Sequence, residues 1–471
     1  MEALQQTLIR EGRIEEQKQQ DQILWNQIEE RRRQEEILWH QKSRISWLKD
    51  GEKNTKFFHK TTIQRGMHNN ITFINNQHGE RIEAHEDMEK EFTGYFQDIL
   101  REPTGNRDEV IRTITQHIPR IITEDHNNKL LQPISLKEVE EAMNQLKDGK
   151  APGPDGFTSN FFHEFWELIK AEVWELVEES RIMHWILLAL NTTFIALVPK
   201  SKEASKPENY RPIALCNVIY KLITKVIANR LKPLLPLLIS PEQMGYVEGW
   251  QIMDGIILSN EVIHSLKLLK KPGMLLKLDL SKAFDKLSWN YIQKMLLDFG
   301  FSSTWTRWIM NLISSPSFSV LLNGSPSKPF RPSRGIRQGD PLSPFLFVLM
   351  AEGLSRLLKS VVSSQALKCI SIHGLPSQSH QQFVDDTMLF GHPSSQEASV
   401  FKSLLSIFSE ASSTSINASK SQLFFFNTPP STQRNIARIL GYTISKLPST
   451  LPRGTPCGLC SQTCLLEDSS R

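Results

Sequence analysis

The stretch Gln382-Phe383-Val384-Asp385-Asp386-Thr387-Met388-Leu389-Phe390 places two adjacent carboxylates between two short apolar runs. This pattern predicts a tight β-hairpin with the acids at its tip. Neighbouring carboxylates repel each other, which raises a pKa unless a cation lies between them and their partners. A divalent metal ion is the obvious cation. The alternative is an ordinary solvated turn, because Asp is a common turn residue.

A further carboxylate interrupts an apolar strand earlier in the chain. Met274–Leu280 predicts a hydrophobic strand broken by Lys277 and Asp279. A lone carboxylate at the end of such a strand is costly unless it coordinates something, so we expect Asp279 to face Asp385 across a sheet. Asp285 follows the turn out of this strand. We expect it to cap the next helix and to have no metal role.

Two cations are expected close together on a second hairpin. Asn191–Lys200 predicts a buried strand and Tyr210–Leu215 a second one, which brings Lys200 near Arg211. Such a pair suits a triphosphate, with Arg giving a bidentate fork and Lys a point charge. The surrounding basic surplus suits phosphate, or a solvated helix face. It consists of Lys200, Lys202, Lys206, Arg211, Lys221, Lys225, Arg230 and Lys232 against Glu203 and Glu208.

The loop Arg334–Pro344 contains two glycines, which allow close approach to a ligand. Asp340 is a good helix N-cap and Pro341 a good first helical residue. Helix N-termini attract phosphates and Gln338 can hydrogen-bond a base or sugar, so the loop is expected to face a nucleotide, or else to serve as a simple helix entry. Lys420, just before another strand, is expected to approach the same site from the far side.

The N-terminal residues 1–50 are rich in Gln, Glu, Arg and Lys, and Ile23-Leu24-Trp25 returns two heptads later as Ile37-Leu38-Trp39. The pattern predicts a long amphipathic helix, either half of a coiled coil or a charged helix lying on its own domain. Asn54–Lys60 then mixes aromatic and basic groups, as a nucleic-acid-binding surface would.

A capping box at Ser135–Glu138 opens a predicted helix that we expect Gly149 to end. The following Lys150–Gly156 contains two prolines and two glycines. These residues predict a turn with exposed backbone amides, which suits phosphate binding or a plain loop.

Length and composition set broad limits. A chain of 471 residues exceeds one typical domain, and its net charge of +4 is too small to identify a nucleic-acid partner. An odd number of cysteines, five, and the lack of an apolar signal segment favour a reducing, intracellular setting, nuclear or cytoplasmic. Cys457, Cys460 and Cys464 look like half a zinc site, but no second ligand pair follows.

The uncharged run Ile182–Pro199 is long enough to raise the question of a membrane span. Polar residues interrupt it, so we interpret it as the end of a helix, a turn and a strand, and we expect no membrane partner.

Together these motifs resemble the palm of reverse transcriptases, and most closely the polymerase region of plant LINE-type, non-long-terminal-repeat retrotransposons. The likeness spans roughly residues 45 to 445. The motifs that carry it are Phe383–Asp386, Leu278–Asp285, Arg334–Pro344, Lys150–Gly156, Tyr210–Asn217, Tyr220-Lys221, Trp47–Gly51 and Asn54–His59.

The resemblance implies an α+β, right-hand polymerase fold and an RNA-directed DNA polymerase that uses an RNA template, a DNA primer and deoxynucleoside triphosphates. It implies two Mg²⁺ ions, with Mn²⁺ as an alternative, and leaves the oligomeric state open. Matched motif by motif, the resemblance implies that the metals would be held by Asp279, Asp385 and Asp386, and the triphosphate by Lys200 and Arg211. Phe284 would exclude a ribose 2′-hydroxyl, and Lys420 would protonate pyrophosphate. The loop with Gln338 and Gly339 would lie beside the nucleotide and the template.

Two departures from the family bear on activity. The segment Gln243–Gln251 has Trp250 where the family usually carries an arginine, and losing that cation would weaken a template or fingers contact. After Leu447-Pro448-Ser449 the family pattern gives way, so we expect a frame disruption or altered splice and a truncated thumb. Without an endonuclease, such a fragment would extend only a primer supplied by others, and the alternative is an inactive nucleic-acid-binding relic.

The resemblance implies the following organisation. It comprises a helical extension at 1–50, a helical connector at 51–132, fingers at 133–273, a palm at 274–445 and an irregular tail at 446–471.

Overall fold

A computed structural model describes residues 15–43, 60, 62–64, 66, 69–76, 78–372 and 377–446. Three of the sequence features lie outside these residues. They are the Trp47–Gly51 and Asn54–His59 motifs and the cysteine-containing tail.

Helices make up most of the described chain. Their bounds are Glu15–Ser43, His85–Ile99, Asp108–Thr115, Glu124–Leu130, Leu136–Asn144, Ser159–Glu164, Trp166–Met183, Val218–Leu231, Leu235–Leu238, Ile252–Leu268, Ala283–Lys286, Trp289–Phe299, Ser303–Ser314, Ser343–Ser363, Ser395–Ser412 and Pro430–Leu440, with 3₁₀ turns at Pro207–Asn209 and Lys232–Leu234.

The strands are short and mostly paired antiparallel. They are β1 (Ile74–Asn75), β2 (Arg81–Ile82), β3 (Thr192–Pro199), β4 (Tyr210–Cys216), β5 (Gly273–Leu278), β6 (Leu280–Ser281), β7 (Ser317–Leu322), β8 (Ser325–Pro326), β9 (His380–Phe383), β10 (Asp386–Gly391), β11 (Ser415–Ile416), β12 (Gln422–Phe426) and β13 (Thr443–Ile444).

The central sheet has five strands in the order β13-β12-β5-β10-β9. β5 lies antiparallel to both β12 and β10, and Leu278 is opposite Thr387. Nearly every residue of β5 and β10 is buried, which accounts for their almost continuous apolar sequence. The sheet therefore fixes the end of β5 beside the start of β10.

A second sheet has four strands in the order β4-β3-β7-β8. β3 and β4 form the antiparallel hairpin expected from the sequence, with Val198 opposite Arg211, whereas β3 and β7 are parallel. This mixture of helices and largely antiparallel sheets confirms the α+β prediction.

The helix Ser343–Ser363 runs through the largest hydrophobic cluster. Thirteen of its residues are buried, from Ser343 to Leu358, and a helix that is apolar on most sides belongs in a core. Its N-terminal end lies next to the loop that contains Gln338. The core thus anchors that loop at one end.

Three local predictions about helix ends are wrong. The helix expected to start at Asp340 starts at Ser343, because Asp340 is buried and its carboxylate accepts a hydrogen bond from Ser343 Oγ at 3.1 Å. Asp285 lies within the four-residue helix Ala283–Lys286 and does not cap it. The helix that begins after Ser135 has the expected capping box but ends at Asn144, before Gly149.

A helix spans Glu15–Ser43, within the predicted N-terminal extension. Ile23, Leu24 and Trp25 are consecutive and all exposed, so they cannot form one apolar stripe. Every described side chain in 18–35 is at least partly exposed.

The run Ile182–Pro199 is divided as expected. The helix Trp166–Met183 ends at His184, which has a left-handed backbone, and β3 follows after a turn. Within the described ranges, no helix has both the length and the apolar character needed to cross a bilayer.

Candidate catalytic and nucleotide-binding site

The paired carboxylates lie at a tight turn between β9 and β10. Phe383 is opposite Asp386 in the ladder, which leaves only Val384 and Asp385 in the turn. Both carboxylates are partly buried. The hairpin predicted from the sequence is therefore present, with Asp385 at its tip.

Asp279 directly follows β5 and comes next to this turn. Leu278 is opposite Thr387, so Asp279 and Asp386 leave the ladder at the same end of the sheet. The backbone around Asp279 is fixed from the other side, because its N–H donates to Ser421 Oγ at 3.3 Å and its carbonyl accepts from Asn417 N at 2.8 Å. The structure thus brings Asp279 and Asp385 together as expected.

Lys420 comes from the segment before β12 and reaches the same place. Its Nζ lies 3.8 Å from Asp279 Oδ2. Lys277, on β5, also acts electrostatically on Asp386. The carboxylates are therefore only partly compensated by protein cations.

The electrostatics of the turn are those of crowded, poorly solvated acids. Burial raises the pKa of Asp385, and the charge of Asp279 adds to this effect. Burial likewise raises the pKa of Asp386 to about 6, helped by Asp385 and Asp279 and opposed by Lys277 and Lys420. A bound cation would offset the desolvation and mutual repulsion of these charges, so the chemistry of the three carboxylates fits a divalent metal ion.

The side chains are not gathered into a ready-made metal site. Among the residues that the structure describes, no group of three or more His, Cys, Asp or Glu side chains is arranged to hold a metal ion. Asp279 therefore lies at the end of β5, and Asp385 and Asp386 lie at the neighbouring turn, without forming a preformed metal site.

The two cations predicted on the β3–β4 hairpin are Arg211, on β4, and Lys200, which directly follows β3. The pKa of Lys200 is lowered by partial burial and by the neighbouring charges of Lys420 and Arg211, while Asp285 acts in the opposite direction. Lys200 Nζ donates to the carbonyl of Glu208 at 2.7 Å, and Arg211 is exposed. The link between Lys200 and the carboxylate site is Lys420, which acts on Lys200 and pairs with Asp279.

The loop with Gln338 and Gly339 lies between the hairpin and the segment that contains Phe284. Ala214 N donates to the Gln338 carbonyl at 3.1 Å, and Ile336 N donates to the Phe284 carbonyl at 2.8 Å. Gly335 makes this possible, since it has a φ of 93° and a Cβ there would lie 2.5 Å from the Asp285 carbonyl oxygen.

Phe284 itself is partly buried and stacks on Phe347, with ring centroids 4.8 Å apart and an interplanar angle of 10°. The core helix thus supports the ring from one side. Gln338 is half-buried, and Gly339, with a φ of 100°, is exposed.

Part of the predicted basic surface has a structural role instead. Arg230 donates to the carboxylate of Glu138 at 2.8 Å and also binds three backbone carbonyls, those of Leu130, Gln132 and Pro133. Lys232 pairs with Glu248 at 3.5 Å. Arg230 is therefore engaged in structural contacts, whereas Lys232 forms an exposed ion pair.

Two charged residues flank Phe284: Lys282, which the sequence analysis does not single out, and Asp285, for which it predicts only a helix cap. Burial raises the pKa of Asp285 to about 6 and lowers that of Lys282 to about 8. The Lys282 ammonium donates to the hydroxyl of Tyr95 and lies 4.0 Å from the centre of its ring. A lysine and an aspartate three residues apart in an otherwise apolar segment are the only local signal for this cluster.

A model of the family described as "Reverse transcriptase (RNA-dependent DNA polymerase)" matches residues 198–444, just over half of the chain. The match contains all three carboxylates and both hairpin cations.

Curated relatives agree with this match. An uncharacterized 149 kDa protein of transposon TX1 from Xenopus laevis is 27% identical over 327 residues, which cover 69% of this chain and 25% of that protein. The Pol polyprotein of the type-2 retrotransposable element R2DM from Drosophila melanogaster is 30% identical over 258 residues, or 54% of this chain and 23% of that protein.

A shorter match joins the chain to a plant sequence. An uncharacterized mitochondrial protein of Arabidopsis thaliana is 44% identical over 68 residues, which cover 14% of this chain and 56% of that protein. The chain spans about a quarter of the length of the TX1 and R2DM relatives.

Proposed function

This chain belongs to the reverse transcriptase (RNA-dependent DNA polymerase) family, and from that premise we propose that it copies an RNA template by adding deoxynucleotides to a primer 3′-hydroxyl. One observation carries the proposal. Asp385 and Asp386 at the hairpin turn lie beside Asp279, and the Lys420 ammonium lies 3.8 Å from Asp279 Oδ2 and also acts electrostatically on Asp385.

Asp279, Asp385 and Asp386 would hold two Mg²⁺ ions, with Mn²⁺ as an alternative. Such ions activate the attacking hydroxyl and stabilise the leaving pyrophosphate when bound. The carboxylates supply the hard oxygen ligands that these ions prefer, and burial raises the pKa values of Asp385 and Asp386, which a nearby cation would lower again. Rotation of these side chains would bring the Asp279 carboxylate and the carboxylates of Asp385 and Asp386 into position to share the ions.

Lys200 and Arg211 would bind the triphosphate of the incoming nucleotide. Arg211 is exposed and free to offer a bidentate fork, whereas Lys200 is held at the mouth of the hairpin by the Glu208 carbonyl. Lys420 would give a proton to the departing pyrophosphate.

Phe284 would select deoxyribose by occupying the space that a 2′-hydroxyl needs, because its ring is held flat against Phe347. Gln338 and Gly339 would contact the nucleotide and template, since their loop is tied to the strand that carries Arg211.

Family membership implies a palm and fingers. We assign 133–273 to the fingers and 274–445 to the palm, preceded by a helical connector at 51–132 and an extension at 1–50. We further propose an origin in a non-long-terminal-repeat retrotransposon of the plant LINE type; the R2DM relative supports the retrotransposon origin, and the short Arabidopsis match supports the plant source. The non-catalytic alternative is not favoured, because the family match includes every proposed metal ligand.

Primer extension tests the function. The full chain is given an RNA template with an annealed DNA primer, Mg²⁺ and deoxynucleoside triphosphates, beside a variant with Asp385→Ala and Asp386→Ala. We expect extension by the parent chain alone and equal RNA binding by both, with the same salt dependence. If neither protein extends the primer but both retard RNA, the binding alternative replaces the polymerase.

A further inference from the structure

The side chain of Gln243 hydrogen-bonds to the backbone of the turn that contains Val384 and Asp385. It is fully buried, at 0% exposure. Its Oε1 accepts hydrogen bonds from Val384 N and Gly245 N, both at 3.0 Å, and its Nε2 donates to the Val384 carbonyl at 3.5 Å. One side chain thus engages both backbone polar groups of the residue that precedes Asp385.

The turn needs such a restraint. Val384 has a φ of 60°, in the left-handed region that β-branched residues rarely adopt. A conformation of this kind persists only where the surroundings impose it. The carbonyl of Val384 belongs to the peptide that joins it to Asp385, so rotation of this peptide would redirect the Asp385 carboxylate.

Gln243 is itself held in register with the hairpin. The Glu242 carbonyl accepts from Gln382 N at 2.7 Å, and Met244 N donates to the Gln382 carbonyl at 2.9 Å. The segment around Gln243 therefore pairs with β9 two residues before the turn.

Behind this segment, Ser240 is fixed by the core helix Ser343–Ser363. Its N–H and Oγ donate to the fully buried carboxylate of Glu352 at 2.9 Å and 2.5 Å. Packing on the other side is equally close, because a Cβ at Gly245 would lie 2.5 Å from Val384 Cγ2. The support for the turn thus extends from the core helix through Gln243 to Val384.

We propose that Gln243 is a positioning residue that fixes the direction of the Asp385 carboxylate by holding Val384 in its left-handed conformation. The role rests on the proposed polymerase function, although the contacts themselves do not. Gln243 touches no reacting atom, so its removal should alter turnover more than nucleotide binding.

The test uses Gln243→Ala, Val384→Gly and their combination. We expect Gln243→Ala to lower kcat by about 10²-fold while the KM for nucleotide stays within about twofold, as for a misplaced catalytic group. Glycine adopts positive φ readily, so adding Val384→Gly should restore much of the lost kcat. In parallel, amide hydrogen exchange across residues 383–386 should be faster in Gln243→Ala.

Ser355→Ala is the matched control. It removes two equally buried hydrogen bonds, those of Ser355 Oγ with Gln382 Oε1 and with His380 Nε2, both at 3.0 Å, and Ser355 makes no hydrogen bond to Val384 or Asp385. We expect it to lower the melting temperature with kcat almost unchanged.

Two results would overturn the proposal. One is a Gln243→Ala variant whose loss of kcat is not relieved by Val384→Gly, and the other is unchanged amide exchange at the turn. If the parent chain extends no primer, the polymerase function fails, while amide exchange still decides whether Gln243 holds the turn.

Discussion

Lys420 Nζ lies 3.8 Å from Asp279 Oδ2, which places a half-exposed ammonium group against a largely buried carboxylate. An ammonium in this position has two uses. It can balance the charge of Asp279, or it can give a proton to a leaving group. The two uses make different demands on the side chain, because only the second needs a proton that can be lost.

Substitution of Lys420 separates these uses. We expect Lys420→Ala to lower kcat by about 10²-fold, the scale of general acid catalysis. Arginine keeps the charge but does not release its proton, so Lys420→Arg should be almost as slow. Single-turnover extension measures both. An arginine variant with the parent rate would leave Lys420 only its ion pair with Asp279.

Removal of the carboxylate of either Asp279 or Asp385 should abolish DNA synthesis. We expect Asp279→Asn and Asp385→Asn each to reduce extension below detection, because the isosteric amide cannot supply the negative charge that metal binding needs. RNA binding should stay close to that of the parent chain, as measured by gel retardation over a salt series. Substantial extension by either variant would contradict the assignment.

The ring of Phe284 should control the choice of sugar. We expect Phe284→Val to lower the ratio of kcat/KM for deoxynucleotides over ribonucleotides by about 10- to 100-fold, because the smaller side chain leaves room for a 2′-hydroxyl. Phe284→Tyr keeps the ring and its stacking on Phe347, so it is the control. Equal selectivity in the valine and tyrosine variants would remove Phe284 from this role.

Arg230 should matter for stability and not for nucleotide binding. Its guanidinium is mostly buried and binds Glu138 together with three carbonyls. We expect Arg230→Ala to lower the free energy of unfolding by about 3 kcal/mol, since it leaves these acceptors unpaired. Denaturant titration measures the change. A raised KM for nucleotide, with an unchanged free energy of unfolding, would indicate instead that Arg230 binds phosphate.

Features of the site that depend on local sequence were predictable. The Asp385–Asp386 turn and the hairpin that carries Lys200 and Arg211 each follow from short-range alternation and turn residues. Gln243 acts across 141 residues of chain, and its glutamine has no distinguishing neighbour in the sequence. Likewise, the sequence predicts a phosphate-binding patch or a solvated helix face for Arg230, because its partner Glu138 lies 92 residues upstream. Side-chain pairing over such distances has no local signature.

The buried acid Asp285 should give stability an acidic pH dependence. Burial raises its pKa to about 6 from the ordinary 3.8, although three lysines oppose the shift. Between about pH 4 and pH 6 the folded protein therefore holds more protons than the unfolded chain, so the free energy of unfolding falls as pH rises and then levels off. The contribution is up to about 3 kcal/mol and should vanish in Asp285→Asn.

Lys282 should produce the opposite slope at alkaline pH. Burial lowers its pKa to about 8 from 10.5, so between these values the unfolded chain holds more protons and stability rises with pH. Asp285 attracts the Lys282 charge, so Asp285→Asn should move this rise to lower pH. Chemical denaturation across the range in EDTA measures both limbs, with the exposed Glu172→Gln as control. An Asp285→Asn variant with both limbs unchanged would contradict the buried placement of the pair beside Phe284.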